Sequence, residues 1–329
     1  MVFTILKVVI GIGCIIALIH FDFIDFSLLA NALSAPGVVL FAFACLLITV
    51  FIGALRWQIL MRALHAEIGY LQSLNFTFIG QFFNVFLPGA YGGDFVRGGL
   101  AYRLHKDKLG AIMMSSLVDR LTGLVGLLVI SLAVLALIPS QFQFWIGVIV
   151  VTGLALAFFG LVAAVKFQGI FISLIRLMPG PVERILMRIF ETVVGALEKY
   201  WNRKMDLVAA VALSVFQYIL VLESLHLLGG AMDITGLSWI AYVVSGVAGL
   251  FANAIPISPG GLGIGEAAFG QIAHLLEDQA TNTAYSSIFL LMRTLTLLTA
   301  VFGVIPFLLY RDAVNAVTRE KDKLQQGDV

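Results

Sequence analysis

The stretch NVFLPGAYGGD at residues 84–94 has a distant copy later in the chain, NAIPISPGGLGIGE at residues 253–266. Each stretch runs from an asparagine through proline and several glycines to a carboxylate, inside otherwise apolar sequence. An arginine follows 26 residues after the first carboxylate and 27 residues after the second. Paired apolar segments that are broken by glycine and proline in corresponding halves of a chain are typical of a transporter's binding site.

The composition predicts a polytopic helical membrane protein. Of the 329 residues, 60% are hydrophobic and only 12% are charged, about half the charge of a soluble domain. Several apolar runs reach the length of about 20 residues that crosses a bilayer. The net charge of +1 gives no reason to expect a nucleic-acid partner. The histidines lack metal-ligand spacing and there is no phosphate-binding loop, so no metal or other cofactor is expected.

The apolar runs and the basic residues together predict the topology. Two apolar segments, 70–88 and 239–256, contain asparagine or glutamine and stop at the glycine and proline motifs. If both return to the side they entered from, every lysine and arginine except Arg120 and Arg293 falls at the cytoplasmic side or termini, as the positive-inside rule requires. The six full transmembrane helices are then predicted near residues 4–20, 37–60, 109–138, 144–166, 207–228 and 284–310.

This order of segments predicts an internal repeat. We expect an all-α polytopic membrane protein with about six full transmembrane helices and two re-entrant helical hairpins, in one transmembrane domain over 1–329. Residues 1–138 and 144–310 would form an inverted-topology repeat whose hairpin tips meet near the membrane midplane. An alternative is that the glycines only let helices pack closely. Residues 169–203 are predicted to form an amphipathic helix at the cytoplasmic interface, and residues 311–329 a cytoplasmic tail.

Charged residues within apolar segments are the candidates for a binding site. An ionisable group at the bilayer centre costs about 2.5–3.5 kcal/mol on insertion scales, arginine suits phosphate, and a helix that restarts after glycine presents free N–H groups to an anion. Asp94 and Glu266 would cap the restarted helices, and Asp94, Glu266 or Glu223 would bind a cation or proton or form structural ion pairs with the arginines. Arg56 and Trp57 are expected to anchor a helix at the interface. The candidate substrate-binding residues are Asn84, Pro88, Gly92, Gly93, Asp94, Arg97, Arg120, Glu223, Asn253, Pro259, Gly260, Gly261, Gly263, Glu266 and Arg293.

Motifs spread over nearly the whole chain resemble one protein family. They are Arg56-Trp57, Asn84, Pro88-Gly89, Gly93-Asp94, Arg97, Asp119-Arg120-Leu121, Pro256, PGGLGIGE at residues 259–266, and Arg293. Together they resemble the flippase-like membrane domain of the lysylphosphatidylglycerol synthases. The resemblance implies movement of a lipid headgroup between leaflets. A soluble aminoacyl-transfer domain follows this domain in the synthases, whereas this chain ends at Val329, so we expect a stand-alone member that does not make the lysyl lipid.

The sequence therefore predicts a lipid or lipid-linked headgroup flippase of a bacterial inner membrane, with both termini in the cytoplasm. A phospholipid or polyprenyl-linked lipid would be its partner, and no catalytic motif is recognised. Two alternatives stay open. One is an intramembrane lipid-linked glycosyl or phosphoryl transferase with Asp94 or Glu266 as general base, and the other is a small-solute transporter. The sequence also leaves open a homo-oligomer, a separate lipid-modifying enzyme as partner, the lipid, and the energy source.

Overall fold

The described part of the chain is helical. The computed structural model describes residues 25–86, 92–104, 108–135, 199–234, 236–254, 262–277 and 284–311, and single positions at 20, 172, 173, 180, 183, 187 and 195. Its helices, in chain order, are α1 Phe26–Ala32, α2 Pro36–Ala63, α3 Tyr70–Phe86, α4 Gly92–Leu104, α5 Leu109–Leu135, α6 Lys204–Ala231, α7 Trp239–Ala254, α8 Ile264–Leu276, α9 Ser286–Val301 and α10 Val304–Leu309. The predicted spans 4–20 and 144–166, most of 169–203, and the tail after Arg311 lie outside the described residues.

Four helices are long and apolar enough to cross a membrane. They are α2 and α6 with 28 residues each, α5 with 27, and α9 continued by α10 with 24. At 1.5 Å per residue each exceeds the bilayer's hydrocarbon thickness of about 30 Å. The predictions of apolar, membrane-length helices at 37–60, 109–138, 207–228 and 284–310 are confirmed within the described residues, which end at 135 in the second of them.

The last of these helices is interrupted by a proline. Between α9 and α10 the chain turns at Phe302 and Gly303. Pro306 lacks an N–H group, and its ring clashes with the carbonyl four residues earlier, which belongs to Phe302. A Cβ atom on Gly303 would overlap the Phe78 carbonyl oxygen, so the backbone of this turn lies directly against α3.

Helix α2 is the centre of the first half of the chain. It packs most extensively against α6 and also contacts α3 and α5. At the crossing with α6, Gln217 Nε2 donates to the Thr49 carbonyl oxygen at 2.6 Å, and Gly53 leaves room for that side chain. The same stretch of α6 lies against α5 at Gly126, where a Cβ atom would come within 2.6 Å of Ser214 Cβ.

Two short helix pairs are held in different hydrophobic cores. Helices α3 and α4, the first helix pair, pack with α2 and α5 around Trp57, Ile79 and Val96. Helices α7 and α8, the second helix pair, pack with α6 and α9 in a larger core that includes Phe269 and Phe289. Long helices from both halves of the chain contribute to this packing: α2 and α5 supply residues to the larger core, and α10 packs against α3. The repeat boundaries at 1–138 and 144–310 remain a prediction.

Candidate functional site

The first helix pair is held by direct backbone contact. A Cβ atom on Gly93 would overlap the Gly80 carbonyl oxygen, and a Cβ atom on Gly80 would lie 3.4 Å from Arg97 Cβ. Asn84 Oδ1 accepts a hydrogen bond from the Gly93 N–H at 2.9 Å. Residues on α3 therefore pass those on α4 in the opposite order, so the two helices are antiparallel. Asn84 also satisfies one of the N–H groups that the start of α4 would leave unpaired.

Gly93→Ala is expected to lower stability by about 1–3 kcal/mol, because the added methyl group forces two helix backbones apart. Gly98→Ala is the matched control on the same helix. Its nearest neighbour, Ile112 Cγ2, would lie 3.7 Å from the new Cβ atom, which is ordinary contact. Thermal unfolding in detergent measures both, and equal midpoints for the two variants would contradict the close approach at Gly93.

The second helix pair repeats this arrangement. A Cβ atom on Gly249 would lie 3.1 Å from the Gly265 carbonyl oxygen, and one on Gly265 would overlap Asn253 Oδ1. Helix α8 starts after Gly263, whose φ of 81° is readily adopted by glycine. Glu266 Oε2 accepts from the Gly263 N–H at 2.9 Å and so caps the helix. The capping role predicted for this carboxylate is present in the structure.

Five charged residues form a connected cluster beside the first helix pair, which we call the first arginine cluster. Arg120 Nε donates to Asp94 Oδ2 at 2.7 Å, and its Nη2 contacts the same oxygen. Arg97 Nη2 lies 3.7 Å from Asp94 Oδ1 and donates to Asp119 Oδ2 at 3.2 Å. Arg56 Nε donates to Asp119 Oδ1 at 2.7 Å. Three arginines and two aspartates leave one excess positive charge when all are ionised.

Arg56 belongs to this cluster, and its guanidinium is bound inside the protein. Its guanidinium also donates to Ser214 Oγ at 2.7 Å and to Gln217 Oε1 at 2.9 Å, and its side chain is 13% exposed. Trp57 is fully buried and its Nε1 donates to Ser115 Oγ at 3.1 Å. The prediction of an interfacial anchor was wrong, because polar groups on α5 and α6 satisfy both side chains inside the protein.

Arg97 and Asp119 are the buried centre of the cluster. Each residue is 6% exposed, and the Arg97 guanidinium lies 4.4 Å from the centroid of the Trp57 ring. Stacking on an aromatic face favours the planar guanidinium over a lysine ammonium. Asp119 is missing from the candidate residues predicted from sequence. The available signal was an aspartate in the middle of an apolar helix.

The second cluster contains Asn253, Glu266 and Arg293. The Glu266 side chain is 0% exposed and that of Arg293 is 13% exposed. Arg293 Nη2 donates to Glu266 Oε2 at 3.1 Å and to Asn253 Oδ1 at 2.8 Å, and its Nε contacts Glu266 Oε1. Ser286 Oγ donates to the Glu266 carbonyl oxygen at 2.9 Å, which joins α8 to α9. This cluster has no excess charge when both ions are present.

The two clusters share a pattern but differ in charge. Asp94 corresponds to Glu266 and Arg120 to Arg293, and each carboxylate pairs with its arginine. The residues that would correspond to Arg97 and Asp119, three after Glu266 and one before Arg293, are apolar. They are Phe269 and Met292, both in the larger hydrophobic core. The first half of the chain thus has a buried ion pair where the second half has an apolar contact region, and only the first cluster is electropositive.

The remaining candidate residues fall into two groups. Glu223 pairs with His226 on α6, with 3.3 Å between Oε1 and Nδ1, and takes no part in the contacts of the two clusters described above. Gly92 is buried at the start of α4. The candidates outside the described residues are Pro88, Pro259, Gly260 and Gly261.

Anion recognition is the chemistry that the described side chains favour. Within the described residues, no three or more histidine, cysteine, aspartate or glutamate side chains are grouped so that they could bind a metal ion. Arg120, with a side chain 41% exposed, is the most accessible cation of the first cluster. A guanidinium binds a phosphate or carboxylate through two parallel hydrogen bonds.

Membrane-length apolar helices that enclose buried arginine–carboxylate clusters define an integral membrane protein of the helical class. The chain belongs to the family described as the lysylphosphatidylglycerol synthase TM region, whose model matches residues 4–309. The match confirms the resemblance of the motifs and associates the protein with membrane lipids. Neither a curated protein nor a solved structure matches the chain.

Proposed function

We propose that the protein moves an anionic lipid headgroup between the leaflets of a bacterial inner membrane, with the two helix pairs acting as re-entrant hairpins. The observation that carries this proposal is the first arginine cluster: an electropositive group of five charges at the start of α4, with Arg120 partly exposed. Charged residues at membrane depth mark substrate pathways in membrane proteins.

The lengths of the paired helices support the re-entrant topology. Helices α3 and α4 have 17 and 13 residues, and α7 and α8 have 16 and 13. The described part of each helix is shorter than the roughly 20 residues of an average full span. Because the helices of the first pair are antiparallel and in backbone contact at Gly93, the pair fits a segment that enters the membrane and returns on the same side.

A phosphate would bind by taking the place of a carboxylate. Asp94 now occupies the Nε and Nη2 donors of Arg120, so it stands where a phosphate oxygen would accept. Arg97 lies 3.7 Å from the other oxygen of Asp94 and could receive the displaced carboxylate. The displaced Asp94 would then keep a cationic partner while the headgroup uses Arg120.

The transferase alternative makes a different prediction for the same residues. With Asp94 or Glu266 as general base, the purified protein would form product from a labelled lipid, whereas a transporter would move the lipid unchanged.

Arg120→Ala is expected to slow headgroup flipping roughly tenfold or more, the effect of losing one charge-assisted hydrogen bond to phosphate. The measurement uses proteoliposomes that contain a trace of fluorescent phosphatidylglycerol, with dithionite quenching of the label in the outer leaflet. Arg103→Ala is the matched control, since Arg103 is exposed in the last turn of α4. It should flip lipid like the wild type.

Thermal unfolding of both variants shows whether they are folded. Flipping by folded Arg120→Ala at the wild-type rate would contradict a role for Arg120 in headgroup binding. Both a zwitterionic and an anionic phospholipid carry the phosphate that Arg120 would bind, so equal flipping of the two would contradict selectivity for a headgroup with net negative charge.

A further inference from the structure

A carboxylate–imidazole pair lies on α6, separate from the contacts of both arginine clusters. Glu223 and His226 are one helical turn apart, and their side chains are 39% and 43% exposed. The same helix face carries Phe216 and Ile219, which are 49% and 50% exposed. Glu223 is about 9 Å along the axis from Gln217, the nearest α6 residue that contacts the first cluster. A charged pair on the apolar surface of a membrane-length helix is costly and marks a functional site.

Helix α7, which contacts His226 through Tyr242, carries two buried hydroxyl groups. The His226 ring packs edge-on against Tyr242, with 5.4 Å between ring centroids. Tyr242 is 2% exposed and Ser245, one turn further along α7, is 0% exposed. In the part of the chain that the structure describes, neither hydroxyl oxygen has a hydrogen-bond partner. Buried hydroxyls without partners are rare, and each can both donate and accept a hydrogen bond.

Among the described residues, the titratable groups that neighbouring helices bring close to the pair are Cys45 from α2, Tyr242 from α7 and, behind it, Tyr285 at the start of α9. Thiol and phenol groups are ordinarily neutral at physiological pH. With a neutral imidazole, the pair carries the single negative charge of the carboxylate. One bound proton makes the pair neutral overall and removes the cost of that charge in the membrane.

We propose that Glu223 and His226 form a proton-binding site that couples headgroup movement to a proton gradient. This inference rests on the proposed lipid transport. The proton enters from water, is shared between Glu223 Oε1 and His226 Nδ1, and leaves to water, so no bond to substrate forms or breaks. Proton sites built from carboxylate and histidine side chains are typical of membrane transporters.

The coupling is tested by the ratio of flipping rates with and without a pH gradient across the proteoliposome membrane. We expect the wild type to flip fluorescent phosphatidylglycerol severalfold faster with the gradient in one direction. Glu223→Gln and His226→Asn should each reduce this ratio to one. His65→Asn is the matched control, because His65 is exposed on a turn with φ 61°, a conformation that asparagine tolerates. It should keep the wild-type ratio.

A second measurement reads proton binding without transport. Infrared difference spectra of the protein in lipid, recorded between high and low pH, should show the bands of a protonated carboxyl or imidazole that Glu223→Gln and His226→Asn remove and Arg120→Ala keeps. Unchanged spectra in Glu223→Gln would overturn the proton site. Wild-type flipping that ignores the gradient would overturn the coupling. If the wild type flips no lipid, the proposed function fails, and the spectra alone decide whether the proton site exists.

Discussion

Asp119→Ala is expected to destabilise the protein by about 3–5 kcal/mol, the effect of removing one partner from a buried ion pair. Asp119 is the shared carboxylate of Arg56 and Arg97, whose side chains are 13% and 7% exposed. Without it, the described contacts that remain are two neutral acceptors for Arg56, and Asp94 at 3.7 Å and the face of Trp57 for Arg97. Two guanidinium groups would then lie buried with too little negative charge.

Thermal unfolding in detergent measures this effect, with Asp94→Ala as the comparison. The Asp94 side chain is 22% exposed and its main partner, Arg120, is 41% exposed, so water can solvate the group left behind. We expect a clearly smaller loss of stability for Asp94→Ala. Equal unfolding midpoints for the two variants would contradict a larger stabilising contribution from the buried Asp119 than from the more exposed Asp94.

The Asp119 contacts also explain how the first cluster is positioned. Arg56 belongs to α2, Arg97 to α4 and Asp119 to α5, and Arg56 reaches Ser214 on α6. The Asp119 carboxylate therefore joins three helices, Arg56 extends the connection to α6, and together they fix where α4 starts relative to the long helices. Asp119 acts on a headgroup only by holding Arg97 and α4 in place. It is a positioning residue for the proposed transport.

Much of the fold could be predicted from sequence because the bilayer restricts the solutions. Apolar runs of sufficient length predict the long helices, and these predictions hold for α2, α5, α6 and α9 with α10. The glycines of the duplicated motif predict where helices restart, at Gly92 and after Gly263. Hydropathy could not locate the kink between α9 and α10, where Pro306 interrupts the apolar run without changing its polarity.

The candidate site could be predicted only where the two halves of the chain agree. The repeated distance from carboxylate to arginine points to the pairs Asp94–Arg120 and Glu266–Arg293, which the structure brings together. The contact between Arg56 and Asp119 spans 63 residues and has no copy in the second half. Adjacent residues on a helix point about 100° apart, so the sequence could not show that Asp119 and its neighbour Arg120 serve different partners.

Variants of the buried pair Glu266 and Arg293 can distinguish a structural role of this pair from a role in transport. We expect Glu266→Gln and Arg293→Gln to destabilise the protein by about 3–5 kcal/mol each, since each leaves a buried charge without its counterion. The double variant has neither charge, so its loss of unfolding free energy should be smaller than the sum of the two single losses by about 1–3 kcal/mol. Thermal unfolding of the four proteins measures this coupling, and simple additivity would contradict a direct ion pair.

The flipping rate of the double variant then shows whether the pair is structural or binds the headgroup. The second cluster has no excess charge, and its arginine side chain is 13% exposed against 41% for Arg120. A headgroup must displace Glu266 from Arg293 before it can bind there, and Glu266 also caps α8 through the Gly263 N–H. We therefore expect the double variant to recover flipping along with stability, as a structural pair would. Recovered stability without flipping would instead place Arg293 in headgroup binding, alongside Arg120.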